Sequence, residues 1–191
     1  MYGAAVPQVA TLLLVLLLLA LPLSRWLTRV AGDSGLPGFL GPIERRWYRL
    51  AGIAADQDMP WQRYAFSLLA FNTLGVLGVY LLQRCQGWLP LNPQHFAGIA
   101  ADSAFNTAIS FVTNTNWQGY AGESSMSYLT QMLGFTVQNF LSAATGLAVA
   151  FALIRGFARR SARGVGNFWV DLSRGTLFVL LPLSLLLALL F

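Results

Sequence analysis

Thr113, Asn114, Thr115 and Asn116 form an unbroken run of oxygen-bearing side chains between apolar segments, in a chain that is 56% hydrophobic and 10% charged. Val112 precedes the run, and Trp117 and Gln118 follow it. An unsatisfied backbone or amide group in a bilayer costs on the order of several kcal/mol. Such residues belong there only where non-helical backbone lines a watery path. Cation filters are built that way, with carbonyls and hydroxyls replacing the ion's water. Threonine adds a hydroxyl to its carbonyl. Asparagine tolerates the positive φ that turns successive carbonyls inward. The expectation is a filter wall at Thr113, Asn114, Thr115 and Asn116, supported by Val112, Trp117 and Gln118. Trp117 would be a rigid buttress with its N–H satisfied by a neighbour.

Other chemistries lack their parts. The sequence has no lysine and no G-x-x-x-x-G-K-[ST] loop, so phosphate binding and ATP hydrolysis are not expected of this chain by itself. Its acidic residues, Asp33, Glu44, Asp56, Asp58, Asp102, Glu123 and Asp171, are scattered over presumed loops and make no paired site. One cysteine, Cys85, excludes an internal disulfide, and one histidine, His95, leaves no His/Cys metal cluster. Cys85 reads as a packing residue at a helix end. Asp56-Gln57-Asp58 resembles the start of a calcium loop but lacks the later ligands, so a turn is expected. The net charge of +5 comes from twelve basic residues, all arginine, clustered between apolar spans. That pattern orients a membrane protein and does not form a nucleic-acid face.

The elements that must position the polar run follow from a mean hydropathy of +0.59 and long Leu, Ala, Val and Phe runs. Residues 1–30 read as an amino-terminal transmembrane helix. A cleaved signal peptide would need a basic start and a small-residue cleavage site, and neither is visible. Residues 31–63 read as a cytoplasmic loop with an interfacial helix. Pro42 sits in its first turn, Ile43, Trp47, Leu50 and Ala54 share one face, and Arg45, Arg46 and Arg49 lie off it. Residues 64–155 hold two spans around a half-helix. The first span covers about residues 64–82, where Asn72 and Thr73 either serve helix contact or face water, with Gly75 and Gly78 for close approach. Asp102 or Ser103 caps a helix to about Val112. Its roughly 16 Å is half a bilayer, so the chain dives in, turns through 113–118 and climbs out past Gly119 and Gly122. The helix carboxyl end offers its negative dipole to a cation. The second span, about 128–154, carries a stripe of Ser142, Gly146 and Ala150 for tight packing, with Gln138 and Asn139 facing inward. Residues 156–191 read as a cytoplasmic loop and the start of a further helix. Its apolar run after Arg174, residues 177–191, is about 15 residues against the roughly 17–25 needed. The chain is expected to be a fragment, a truncated frame, or one continued by another polypeptide.

With the amino end outside, the loops at 25–63 and 155–174 hold eleven of the twelve arginines on the cytoplasmic side, Arg84 being the exception. The half-helix then enters from outside.

Three longer runs carry a family resemblance. They are Leu89-Pro90-Leu91-Asn92-Pro93-Gln94, the stretch from Asn106-Thr107-Ala108 through Asn116-Trp117-Gln118, and Thr136-Val137-Gln138-Asn139-Phe140-Leu141-Ser142-Ala143-Ala144. With Leu36-Pro37-Gly38 and Trp169-Val170-Asp171-Leu172, they resemble the potassium-binding A subunits of bacterial Kdp potassium-transporting ATPases. The resemblance implies an all-α integral membrane fold of the potassium transporter superfamily, with four pore-loop repeats in one chain. Here it covers the leading helix, the first membrane–pore-loop–membrane unit and the start of the next. It also implies potassium as the transported ion and a potassium filter whose first quarter maps onto Thr113, Asn114, Thr115 and Asn116, with Gln118 just beyond. The implied partners are the remaining repeats, a P-type ATPase B subunit, a C subunit and a small F subunit in the bacterial inner membrane. Two readings stand: part of a potassium-selecting, potassium-translocating subunit, or a non-conducting truncated scaffold or assembly protein.

Overall fold

The computed structural model describes residues 5–32, 36, 38–159 and 164–190. Pro37, Arg160 and Arg163, which the sequence reading used, lie outside them. The chain divides into two compact units, Met1–Gly52 and Ile53–Phe191. Among the described residues all regular structure is helical, and four helices are long and apolar enough to cross a membrane: Val6–Ala31, Trp61–Trp88, Thr130–Ala158 and Phe168–Ala188.

In the first unit, α1 (Ala5–Ala31) is Leu-rich with Pro22 inside it. Helix α2 (Leu40–Ala51) carries Pro42 in its first turn, where the missing N–H costs nothing. Gly52, at φ 66°, ends it and donates its N–H to the Tyr48 carbonyl. Ile43, Trp47 and Leu50 are exposed on one side, as an interfacial face requires. Ala54 falls beyond the helix end and is not part of that face. Glu44 is buried in the helix and not on a loop. It accepts hydrogen bonds from the Tyr48 hydroxyl at 2.6 Å and the Leu36 amide at 3.4 Å.

The second unit begins with α3 (Trp61–Cys85), 25 residues long, which a short 3₁₀ turn extends to Trp88. An irregular loop leads to α4 (Ala101–Val112). Its 12 residues rise about 18 Å, roughly half of a bilayer's hydrocarbon, as the dive-in-and-turn reading expects. Ala100 takes the N-cap position without a side-chain hydrogen bond, so neither Asp102 nor Ser103 is the cap. The start of α4 is tied to α3 instead. Ile99 donates its amide to the Gln83 carbonyl at 3.1 Å, and Gln83 Nε2 donates to the Ala104 carbonyl at 3.1 Å.

After the polar turn and the short α5 (Gly122–Ser125), a π-helical segment, Thr130–Thr136, opens the next span and continues as α6 (Val137–Ala158). The wider turn is visible in Thr136, whose hydroxyl donates to the Gln131 carbonyl five residues back at 3.0 Å. Phe135 from this segment stacks on Phe111 of α4 at 4.3 Å. These two rings, with Val79, Ala108 and Met126, make the cluster that holds the half-helix. The α6 face that packs closely is Ala144 and Ala148, both fully buried, with Ser142. Gly146 and Ala150 are exposed, so the predicted stripe is rotated from the packing face. Gln138 is interior, and Gly75 is needed beside it, since a Cβ there would come 2.9 Å from Gln138 Oε1. Asn139 is exposed.

The last span starts earlier than the charge pattern suggested. Helix α7 (Phe168–Arg174) runs through a second π-helical segment, Gly175–Leu180, into α8 (Leu181–Ala188). Asp171 is therefore helical and fully buried. Arg155 of α6 grips it with both guanidinium nitrogens at 2.6 and 2.8 Å. Tyr64 of α3 shares its single hydroxyl proton between Asp171 Oδ2 at 3.0 Å and the Ala148 carbonyl at 2.7 Å. Neutralised in this way, Asp171 no longer ends a span. A buried carboxylate is tolerable only when so paired and hydrogen-bonded. Asp58 acts similarly at the preceding loop, accepting from the Gly166 amide at 2.7 Å and from Arg159 at 3.0 Å. Phe168, packed edge-on against Tyr64 at 5.6 Å, completes an apolar core here with Met59, Ala144, Ala148 and Leu172.

Candidate functional site

The polar run leaves the helical path immediately after Val112. Asn114 and Asn116 hold φ of 60° and 55°, the left-handed region that asparagine enters more readily than other side chains. Alternation of left-handed residues with threonine turns the backbone amides back onto the last turn of α4. The Thr113 amide donates to the Ile109 carbonyl at 2.9 Å, and that of Asn114 to Phe111 at 3.3 Å. Those of Thr115 and Asn116 both reach the Ser110 carbonyl, at 2.9 and 3.3 Å. The Trp117 amide finishes the set on the Ser110 hydroxyl oxygen at 2.8 Å. Every backbone amide from 113 to 117 is thus taken.

The acceptors are not. Among the described residues no hydrogen bond reaches the carbonyl oxygens of Thr113, Asn114, Thr115 or Asn116, and all four residues are exposed. The Ile109, Ser110 and Phe111 carbonyls near the end of α4 are occupied by the turn's own amides, and the helix points the negative end of its dipole at the turn. Such an array of uncommitted carbonyl dipoles, with threonine hydroxyls alongside, suits a monovalent cation stripped of water. No group of three or more metal-ligating side chains of the His/Cys/Asp/Glu kind occurs among the described residues.

Ser110 is the residue that sequence reasoning missed at the centre of this arrangement. It is buried, and both its carbonyl and its hydroxyl bind the turn, with Thr115 Oγ1 a further 3.1 Å from its Oγ. The one available signal was its place in the last turn of a half-helix, a few residues before the run. Of the expected supports, Val112 is buried and packs. Trp117 is held by its backbone amide, and its ring is exposed. Gln118 is half-buried. Asn114 has a side-chain partner as well, since Ser142 of α6 donates to its Oδ1 at 3.3 Å.

A cavity of about 570 Å³ opens beside Thr113 and Asn114, lined also by Asn72, Thr73, Ser142 and Thr145. Asn72 therefore borders open space, in keeping with the water-facing alternative. Its Oδ1 is buried without a partner among the described residues.

The far limb of the turn is anchored too. The Tyr120 hydroxyl donates to Gln83 Oε1 at 2.8 Å and lies 3.0 Å from Thr107 Oγ1. Burial pushes the Tyr120 phenol above its ordinary value, opposed by the Thr107 hydrogen bond, so it stays a protonated donor. One turn on from Gln83, the fully buried Gln86 donates to the Ala97 and Ser125 carbonyls at 2.7 and 2.9 Å and accepts from the Ser127 amide at 3.1 Å. These two glutamines at the end of α3 join the half-helix, the climbing limb and the connecting loop. His95, at φ 55°, and Cys85 touch none of this chemistry.

With the geometry in hand, comparison with known proteins is informative. The family described as "KdpA: Potassium-transporting ATPase A subunit" matches residues 10–191. A potassium-transporting ATPase potassium-binding subunit of Herpetosiphon aurantiacus is 59% identical over 98% of this chain and 33% of its own length. Its counterpart in Methylibium petroleiphilum is 64% identical over 95% of the chain and 32% of its own length. That of Bordetella pertussis is 70% identical over 78% of the chain. The chain spans a quarter to a third of the length of these relatives, 25% for that of Bordetella pertussis. A match over nearly all of its residues shows that the chain belongs to the family of potassium-transporting ATPase A subunits.

Proposed function

We propose that this chain supplies one wall of the ion-selecting site of an ATP-driven potassium uptake complex. The wall consists of the carbonyls and hydroxyls of Thr113, Asn114, Thr115 and Asn116, and the remaining walls come from the rest of the A subunit. The observation that carries this reading is the division of labour in the turn. Its amides are all consumed by α4, while its carbonyls are left for an ion. A non-conducting scaffold has no use for such an array. Potassium is the substrate, and ATP hydrolysis falls to a P-type partner subunit, since the sequence carries no lysine and no G-x-x-x-x-G-K-[ST] loop. The other partners are the C and F subunits and the bilayer of the bacterial inner membrane. The arginine distribution supports an external amino terminus, with the half-helix entering from outside. In the full-length subunit, assembled in its complex, Asn114→Ala and Asn116→Ala should each raise the potassium concentration for half-maximal uptake in the presence of sodium. Unchanged half-saturation in both variants would refute the assignment.

A further inference from the structure

The turn at 113–116 is held at two places by one face of one helix. Ser110 takes the Thr115, Asn116 and Trp117 amides, as described above, and a second hold lies farther out on the limb that follows. Thr107 lies three residues earlier on α4, on the same face, and is as deeply buried. It meets Tyr120, four residues beyond Asn116, at 3.0 Å. The same Tyr120 hydroxyl donates to Gln83 Oε1 at 2.8 Å. Gln83 is itself fully buried, and its Nε2 donates to the Val79 and Ala104 carbonyls, both at 3.1 Å. Gln83 thus has all its polar atoms committed and cannot move without breaking α3 from α4. The Tyr120 oxygen is pinned to this fixed point.

We infer that Tyr120, through Gln83 and Thr107, is a positioning residue that clamps the outgoing end of the turn and thereby sets how well it discriminates potassium from smaller cations. This rests on the filter reading above. Between Trp117 and Tyr120 the chain has no regular structure, and Gly119 has open space around it. Ser110 fixes the amides of Thr115, Asn116 and Trp117, and Tyr120 is the next anchored residue, so the two together resist an inward drift of the Thr115 and Asn116 carbonyls onto a smaller ion. A filter that can contract loses its preference for the larger one, whether selectivity derives from cavity size or from the number of carbonyls that can crowd the ion. Tyr120 touches no ion itself.

The test uses the full-length subunit in its assembled complex. Tyr120→Phe removes one oxygen and keeps the ring. It should lower the potassium-over-sodium preference of ion-stimulated ATP hydrolysis by about three- to tenfold, as loss of one buried hydrogen bond allows. The maximal rate at saturating potassium and the yield of assembled complex should stay near the parent. Thr107→Val should act in the same direction, Thr107→Ser should restore the parent preference, and the Tyr120→Phe/Thr107→Val pair should show less than the product of the single effects. Asn116→Val serves as the reference. If it shifts the preference while Tyr120→Phe does not, the clamp is refuted and the filter stands. If neither shifts it, the filter reading falls and takes the clamp with it. A Tyr120→Phe that lowers only yield or maximal rate overturns the clamp as well.

Discussion

Replacing Asn116 with glycine, alanine and valine in turn asks whether the polar run works through its backbone or its side chains. Asn116 suits the question because its side chain makes no hydrogen bond among the described residues, whereas that of Asn114 accepts one from Ser142. At φ 55° an ordinary L-residue suffers Cβ crowding of roughly 1–2 kcal/mol, and a β-branched one lies at the upper end. If the turn must hold this conformation to bind the ion, valine shifts the turn's equilibrium by about 5- to 30-fold. Alanine should fall between valine and the parent. Glycine has no Cβ to crowd, but it loses more conformational entropy on ordering, about 0.5–1 kcal/mol, so its effect should stay within about fivefold. The assay is the potassium concentration for half-maximal ATP hydrolysis by the complete complex, at fixed sodium and normalised to assembled protein. The order parent, glycine, alanine, valine is expected. Glycine as damaging as valine would show that the amide group, and not the φ angle, is what matters, and would refute the backbone argument.

Two further perturbations address other parts of the unit. Ser110→Ala deletes the acceptor of the Trp117 amide and the neighbour of Thr115 Oγ1, so potassium half-saturation should rise by the factor of about ten that roughly 1–1.5 kcal/mol gives, while Ser110→Thr, which keeps the hydroxyl, should show a smaller rise. Arg155→Met leaves Asp171 buried without its main partner and should lower the stability of the purified complex by about 3–5 kcal/mol, read as an earlier thermal unfolding transition, whereas Arg155→Met combined with Asp171→Leu should recover much of the loss; equal stability of all three proteins would overturn the clasp.

The span order, the half-length of α4 and the place where helix gives way to turn were all legible in the sequence, because each follows from local quantities. Apolar run length measures what can cross a bilayer, and Thr-Asn alternation states where positive φ is affordable. Three details were not legible. The start of the last span was misplaced because Asp171 looked like a loop residue until Arg155 and Tyr64 neutralised it. The packing face of α6 runs through Ser142, Ala144, Thr145 and Ala148, because each four-residue step of the expected stripe turns about 40° further round the helix and carries Gly146 and Ala150 off it. The Trp117 amide joins the turn to Ser110, a backbone bond that residue types do not announce.

What the amino-acid sequence determined alone is the medium, a bilayer, and the place of a short oxygen-rich run within it, for which we propose an ion-binding role. What the tertiary structure decided is which oxygens are free. Hydrogen bonding is a matter of pairing at about 3 Å: Ser110, on the turn's own helix, takes its amides, while the hold of Gln83 on Ala104 and Tyr120 forms only once α4 folds against α3.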